Sequence, residues 1–157
     1  MTLRRSFGPV NRRILHLYRQ VAHGVTLGVR GMVIDGAGRV FLVKHSYVDG
    51  WYLPGGGVEV GETLPTALAR ELREEGNIEL TDPPHFFAVY FNRRVSRRDH
   101  VALYVVRSFH QSAEPLPNRE IVAHGFFSPD SLPEDTTLST WARITEVLEG
   151  RAAAEIW

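Results

Sequence analysis

The segment at residues 64–77, LPTALARELREEGN, constrains this chain more than any other. Placed at about 100° per residue around a helix axis, Leu64, Ala67, Leu68 and Leu72 fall on one side and form an apolar stripe. Glu71 and Glu75 fall inside that stripe, Glu74 lies on its margin, and Arg73 points the opposite way. Three anions at i, i+3 and i+4 beside leucines repel one another and resist desolvation, so the pattern predicts a bound cation. The chain has no cysteine, and its seven histidines show no ligand spacing. Oxygen donors and a hard divalent ion, Mg²⁺ with Mn²⁺ as substitute, are therefore expected, with no histidine at the metal.

The remaining pattern surrounds that helix with strands. Residues 25–34 and 40–45 are rich in β-branched and large apolar side chains, and Asp35-Gly36-Ala37-Gly38 between them reads as the turn of a hairpin. Residues 51–54 are short and extended. Gly55-Gly56-Gly57 then breaks the chain, and the missing Cβ atoms let a main-chain carbonyl or amide of Gly55 or Gly56 approach a ligand. Residues 86–91, 101–109 and 121–127 read as further strands, and 137–148 as a closing helix. A short amphipathic helix at 12–21 is expected within an N-terminal extension, residues 1–24, ahead of one domain at 25–150. Mixed hairpin and crossover connections with two or three helices give an α/β or α+β class, a mixed β-sheet with helices on its faces.

A length of 157 residues suits one core. Eighteen basic residues balance eighteen acidic ones, so no global field draws the chain to nucleic acid or an anionic membrane, and neither is expected as a partner. A polyanionic ligand has to be met locally, and a homodimer is left open. The first twenty residues hold no apolar run long enough for a signal segment or a membrane span, which makes the cytoplasm the expected location. Arg93, Arg94, Arg97 and Arg98 form the densest basic patch. Arg93 and Arg94 are candidate phosphate contacts, a solvated hairpin tip being the alternative. Trp51 and Tyr52 are candidates for stacking on a base, with packing as the alternative.

Gly56, five residues, Glu62, seven residues, Arg70-Glu71-Leu72, one residue, Glu74-Glu75, one residue, Asn77-Ile78: this spacing resembles the signature of the Nudix hydrolases. At typical residue usage the fixed positions would coincide by chance on the order of 10⁻⁸ times per starting point. Asn77 departs from the pattern, standing where glycine is usual. That position follows the helix end, where a left-handed residue is favoured and asparagine is the next best choice. The WYLPGGG lead-in and the FFSPDSLP tail extend the resemblance across residues 25–148.

The resemblance implies a Nudix-type α/β/α sandwich and hydrolysis of a nucleoside diphosphate linked to some moiety X, a small nucleotide substrate. It implies that Glu71, Glu74 and Glu75 hold the metals, that the Gly55 carbonyl completes the site, and that Glu62 and Arg70 brace loop and helix beside Gly56. Two or more Mg²⁺ ions would bridge the diphosphate oxygens. Arg70 is counted with Glu71, Glu74 and Glu120 among the residues expected to act in catalysis. Glu120 stands where the family often places an additional carboxylate and competes with Glu71 and Glu74 as general base, a surface turn residue being its alternative. Marks that sort family members by substrate are absent: Pro83 and Pro84 come too early for the ADP-ribose proline, and Arg94 and Val95 occupy the neighbourhood of the diadenosine polyphosphate tyrosine. A non-catalytic nucleotide sensor on the same fold is the alternative function, but such modules usually lose one of the glutamates, and all are present. An isoprenoid diphosphate isomerase would need a cysteine.

Overall fold

The computed structural model describes residues 24–115 and 119–157. In chain order the elements are β1 (Thr26–Val33), β2 (Val40–His45), β3 (Trp51–Tyr52), α1 (Leu64–Gly76), β4 (Ile78–Leu80), β5 (His85–Phe91), β6 (Asp99–Val106), β7 (Phe109–Gln111), β8 (Ile121–Phe127) and α2 (Leu138–Leu148). A single 3₁₀ turn, Pro129–Ser131, leads into the last helix.

Alternation along β1 and β2 decides the layering. Val29 and Val33 share one buried cluster with Phe41, Val43, Leu68 and Leu72, whereas Met32 and Ile34 share the other with Val40, Leu42 and Ile144. Helix α1 therefore covers one face of the strands and α2 the other, which is the α/β/α sandwich. In the sheet β1-β6-β5, β1 runs parallel to β6 and β5 antiparallel to it, so that sheet is mixed. The sheet β3-β2-β8 is antiparallel, and β4 pairs with β7.

The α1 sequence specifies its own limits. The Thr63 side chain caps the start by accepting the Thr66 N–H, and Pro65 sits in the first turn, where its missing donor costs nothing. Asn77 ends the helix at φ 50°, in the left-handed region as expected. Its side-chain amide also donates to the Ala113 carbonyl at 3.0 Å, tying the helix end to a neighbouring loop. Leu68 and Leu72 are fully buried, and truncating either to alanine would cost about 2–5 kcal/mol. Gly31 lets them approach β1, because a Cβ there would lie 3.0 Å from one leucine methyl and 3.1 Å from the other.

Two expectations need correction. The Asp35 turn forms, with the Asp35 N–H donating to the Arg39 carbonyl and the Asp35 carboxylate accepting the Ala37 and Arg39 amides. The strands it joins are not a hairpin. Apart from the bridge between Ile34 and Val40 they separate into different sheets. Turn chemistry sets the chain reversal, but strands apolar on both faces take partners from the interior of the fold. The strand read at 101–109 breaks at Arg107-Ser108 into β6 and β7, and β7 pairs with β4, whose three residues are too short to show a period. The helix expected at 12–21 lies outside the described residues. No helix among the described residues is long and apolar enough to cross a membrane.

Candidate active site

The site begins with the glycine loop. Residues 54–58 lie along the edge of β1: Gly31 N–H donates to the Pro54 carbonyl, Val29 N–H to Gly56 and Val58 N–H to Leu27, each at 2.9 Å. Gly55 can follow this path only without a side chain. Its φ is 137°, and a Cβ would fall 2.1 Å from the Val29 carbonyl oxygen. Gly56 has a second reason to be bare, because a Cβ there would lie 2.4 Å from Glu71 Oε1. The loop is thus held between a strand edge and the carboxylates of α1.

Glu75 is 5% exposed. The Gly55 N–H donates to its Oε2 at 2.7 Å, and its Oε1 lies 3.7 Å from His45 Nε2. Burial dominates its titration; the Arg30 cation and the Gly55 amide oppose that effect, the Glu71 and Glu120 carboxylates reinforce it, and the carboxyl is pushed up to about 7. Burial likewise raises Glu71, against the bond it accepts from Arg70. Glu74 is exposed at the helix margin.

Arg70 is the clamp. Its Nε and Nη2 donate to the two Glu62 oxygens at 3.0 Å, Nη2 also reaches the Gly57 carbonyl at 3.0 Å, and Nη1 donates to Glu71 Oε1 at 2.7 Å. These charge-assisted bonds hold Glu62 well below the usual carboxylate range, at about 2. Glu74 lies 3.6 Å from the same guanidinium, whereas Glu75 shares no ion pair with it among the described residues.

Strands β2 and β8 deliver the last members. Their pairing sets His45 opposite Ile121, next to Glu120, and Ser46 N–H donates to the Glu120 carbonyl at 2.8 Å. Tyr47 Oη donates to Glu120 Oε1 at 3.1 Å. His45, Glu75 and Glu120 each offer one donor atom, all within 4.8 Å of one another. The Glu75 and Glu120 carboxyls, brought from two elements beside an unpartnered imidazole, form a donor set that fits a divalent cation.

A cavity of about 470 Å³ opens beside this loop, lined among others by Arg30, Tyr52, Gly56, Asn92, Arg94 and Trp157. Arg94 thus reaches the cavity; Arg93 is exposed and does not line it. Trp51 does not line it either. Its half-buried ring packs edge-on against Phe127 at 4.9 Å. Tyr52 is the aromatic of that pair on the cavity wall. For Gly55, the contact observed at the cluster is made by its amide.

Sequence reasoning missed Arg30, His45 and Trp157. Arg30 was legible as the lone charge within an apolar strand; its Nη1 donates to the Leu53 carbonyl at 2.8 Å. His45 was legible by period two, since Phe41 and Val43 face α1 and the next residue of that parity is His45. Nothing in the sequence marks Trp157.

Comparison with known proteins meets this geometry. The NUDIX domain family matches residues 24–146. A MutT-like protein of Streptomyces ambofaciens is 30% identical over 125 residues, 80% of this chain and 78% of that one. Among solved structures, a MutT NUDIX hydrolase from Burkholderia pseudomallei superposes with a TM-score of 0.66 at 26% identity, covering 78% of this chain and 97% of that one. An ADP-ribose pyrophosphatase from Streptococcus suis does so at 0.60 and 25% identity, covering 84% and 95%. The α/β/α sandwich and its braced acidic helix are those of a hydrolase acting on pyrophosphate bonds. The chain belongs to the Nudix hydrolase family, among its MutT-like members.

Proposed function

We propose that this enzyme cleaves the diphosphate linkage of a nucleoside diphosphate joined to a second moiety, such as a nucleotide, a sugar or an ADP-ribose-like group. The reading is carried by one observation, the convergence of the buried Glu75 of α1 with Glu120, just ahead of β8, beside a glycine loop whose Gly56 packs against Glu71. Glu71 and Glu75, with the Gly55 carbonyl, would hold Mg²⁺, for which Mn²⁺ would substitute. Such an ion supplies Lewis acidity and neutralises charge that develops on phosphate oxygens.

The protein's own part is positioning. Arg70 and Glu62 fix the loop against α1, so that Glu71 meets Gly56 at a set distance. Arg94 and Tyr52 on the cavity wall orient the phosphate and the nucleoside. Glu74, exposed and engaged among the described residues by a loose 3.6 Å pair with Arg70, is the carboxylate of α1 left to take a proton from the attacking water. The buried Glu75 is a ligand instead.

A hydrolysis panel of nucleoside di- and triphosphates, dinucleoside polyphosphates, nucleotide sugars and ADP-ribose, with products identified, tests the reading. Turnover has to vanish in EDTA and return with Mg²⁺ or Mn²⁺; activity that survives full chelation sinks it. Glu74→Gln separates base from ligand, since loss of the base lowers kcat with Mg²⁺ affinity unchanged.

A further inference from the structure

The carboxylate cluster does not account for His45. Its ring is 5% exposed, and neither Nδ1 nor Nε2 has a hydrogen-bond partner among the described residues. A buried polar group in that condition bears its full desolvation penalty, so an imidazole kept there calls for a partner outside the chain. The ring is held in place by aromatic neighbours, Tyr47 at 5.2 Å and Tyr52 at 5.9 Å between centroids. The Lys44–His45 bulge in the β2–β8 pairing lies at the same point, where bulges commonly re-aim a side chain.

The ring's direction is specific. His45 Nε2 stands 3.7 Å from Glu75 Oε1, too far for a hydrogen bond. Two donors on one ion, with bonds of about 2.1 Å, lie about 3 Å apart when adjacent and about 4.2 Å apart when opposite. The 3.7 Å separation falls inside that range. Glu120 completes the group, the three donor atoms lying within 4.8 Å of one another.

We propose that His45, Glu75 and Glu120 form a nitrogen-containing cation site at one end of the carboxylate cluster, and that this site selects a borderline first-row ion such as Mn²⁺ over Mg²⁺. The inference rests on the reading of the cluster as a metal centre. Its physical basis is ligand softness: Mg²⁺ is served by oxygen, whereas an imidazole nitrogen favours transition ions. Glu75 stands between the two ends, its Oε2 held by the Gly55 amide and its Oε1 3.7 Å from His45 Nε2. The centre thus has an all-oxygen end on α1 and a mixed end where β2 meets β8.

The test uses the full chain with each metal alone, without substrate. Calorimetric titration should give Mn²⁺ binding at least about tenfold tighter than Mg²⁺, and pulsed electron paramagnetic resonance of bound Mn²⁺ should show coupling to a ring nitrogen. In His45→Gln that coupling should vanish and Mn²⁺ affinity should fall about tenfold, with Mg²⁺ affinity changed less than about threefold. Mn²⁺ bound to the parent without nitrogen coupling overturns the proposal, as does an equal loss for both ions. If neither ion binds the parent, the metal-centre reading falls with it. If Glu75→Gln weakens both ions and His45→Gln weakens neither, only the role of His45 falls. Should His45→Gln fail to fold, the spectrum of the parent decides alone.

Discussion

At the scale of single residues, burial of the Glu75 carboxyl weighs against the metal-free fold. That carboxyl rises from an ordinary 4.5 to about 7, chiefly through burial. A group raised in this way holds its proton more tightly folded than unfolded. It takes nothing from stability below pH 4.5, takes progressively more as pH rises to about 7, and keeps that cost above it. Glu75→Gln removes the charge and keeps an acceptor for the Gly55 amide. In EDTA the variant should match the parent at pH 4.5 and exceed it by on the order of 1 kcal/mol at pH 8, as read by urea unfolding. Mg²⁺ should then raise the melting temperature of the parent more than that of the variant. A variant less stable than the parent at pH 8 would mean that the carboxylate is structural. The placement of Glu71 and Glu75 was readable in advance because helix angles are local. That of His45 was not, because its neighbours Glu75 and Glu120 come from other elements and share no spacing with it.

Elements show the same division between local and distant causes. Helix α1 was legible from its apolar stripe to its left-handed asparagine, since both lie within its own sequence. The β1–β2 relation was not, because the Asp35 turn says that the chain reverses and nothing about which strand lies alongside. The β5–β6 connection held four arginines, of which Arg93 and Arg94 were the candidate phosphate contacts. The fold separates the first two, placing Arg94 on the cavity wall and leaving Arg93 in solvent. On the best substrate, Arg94→Ala should raise KM about tenfold with kcat little changed, as a contact made equally in ground and transition states does. Arg93→Ala should leave both within about twofold of the parent. Equal effects in steady-state kinetics would return the connection to a solvated tip.

For the whole molecule, the signature made the α/β/α architecture legible, but the closing segment was not. Residues 154–157 return to β5: Phe91 N–H donates to the Glu155 carbonyl and Trp157 N–H to the Phe91 carbonyl. The Trp157 ring meets Tyr90 edge-on at 5.4 Å, and the Arg143 guanidinium, paired with Glu146, lies over both rings. A run of alanines ending in Glu-Ile-Trp carries no period that would reveal this. Trp157→Ala should cost about 2 kcal/mol in urea unfolding, below the range for a fully buried tryptophan because the ring is half-buried. The same change removes part of the cavity wall, so KM should rise as stability falls.

The path of the glycine loop has a consequence for solubility. In the sheet order β1-β6-β5, β1 is an outer strand, and an uncovered outer strand is a template on which other chains can add. The loop at 54–58 occupies those backbone groups, so a segment of the candidate site also covers the strand edge. Gly55→Ala, whose Cβ would collide with the Val29 carbonyl, should lift the loop from the strand. Light scattering at rising concentration should then show growing particles in the variant while its circular dichroism still reports native helix. The fold cannot lose its hold on the active-site loop without also exposing an adhesive edge.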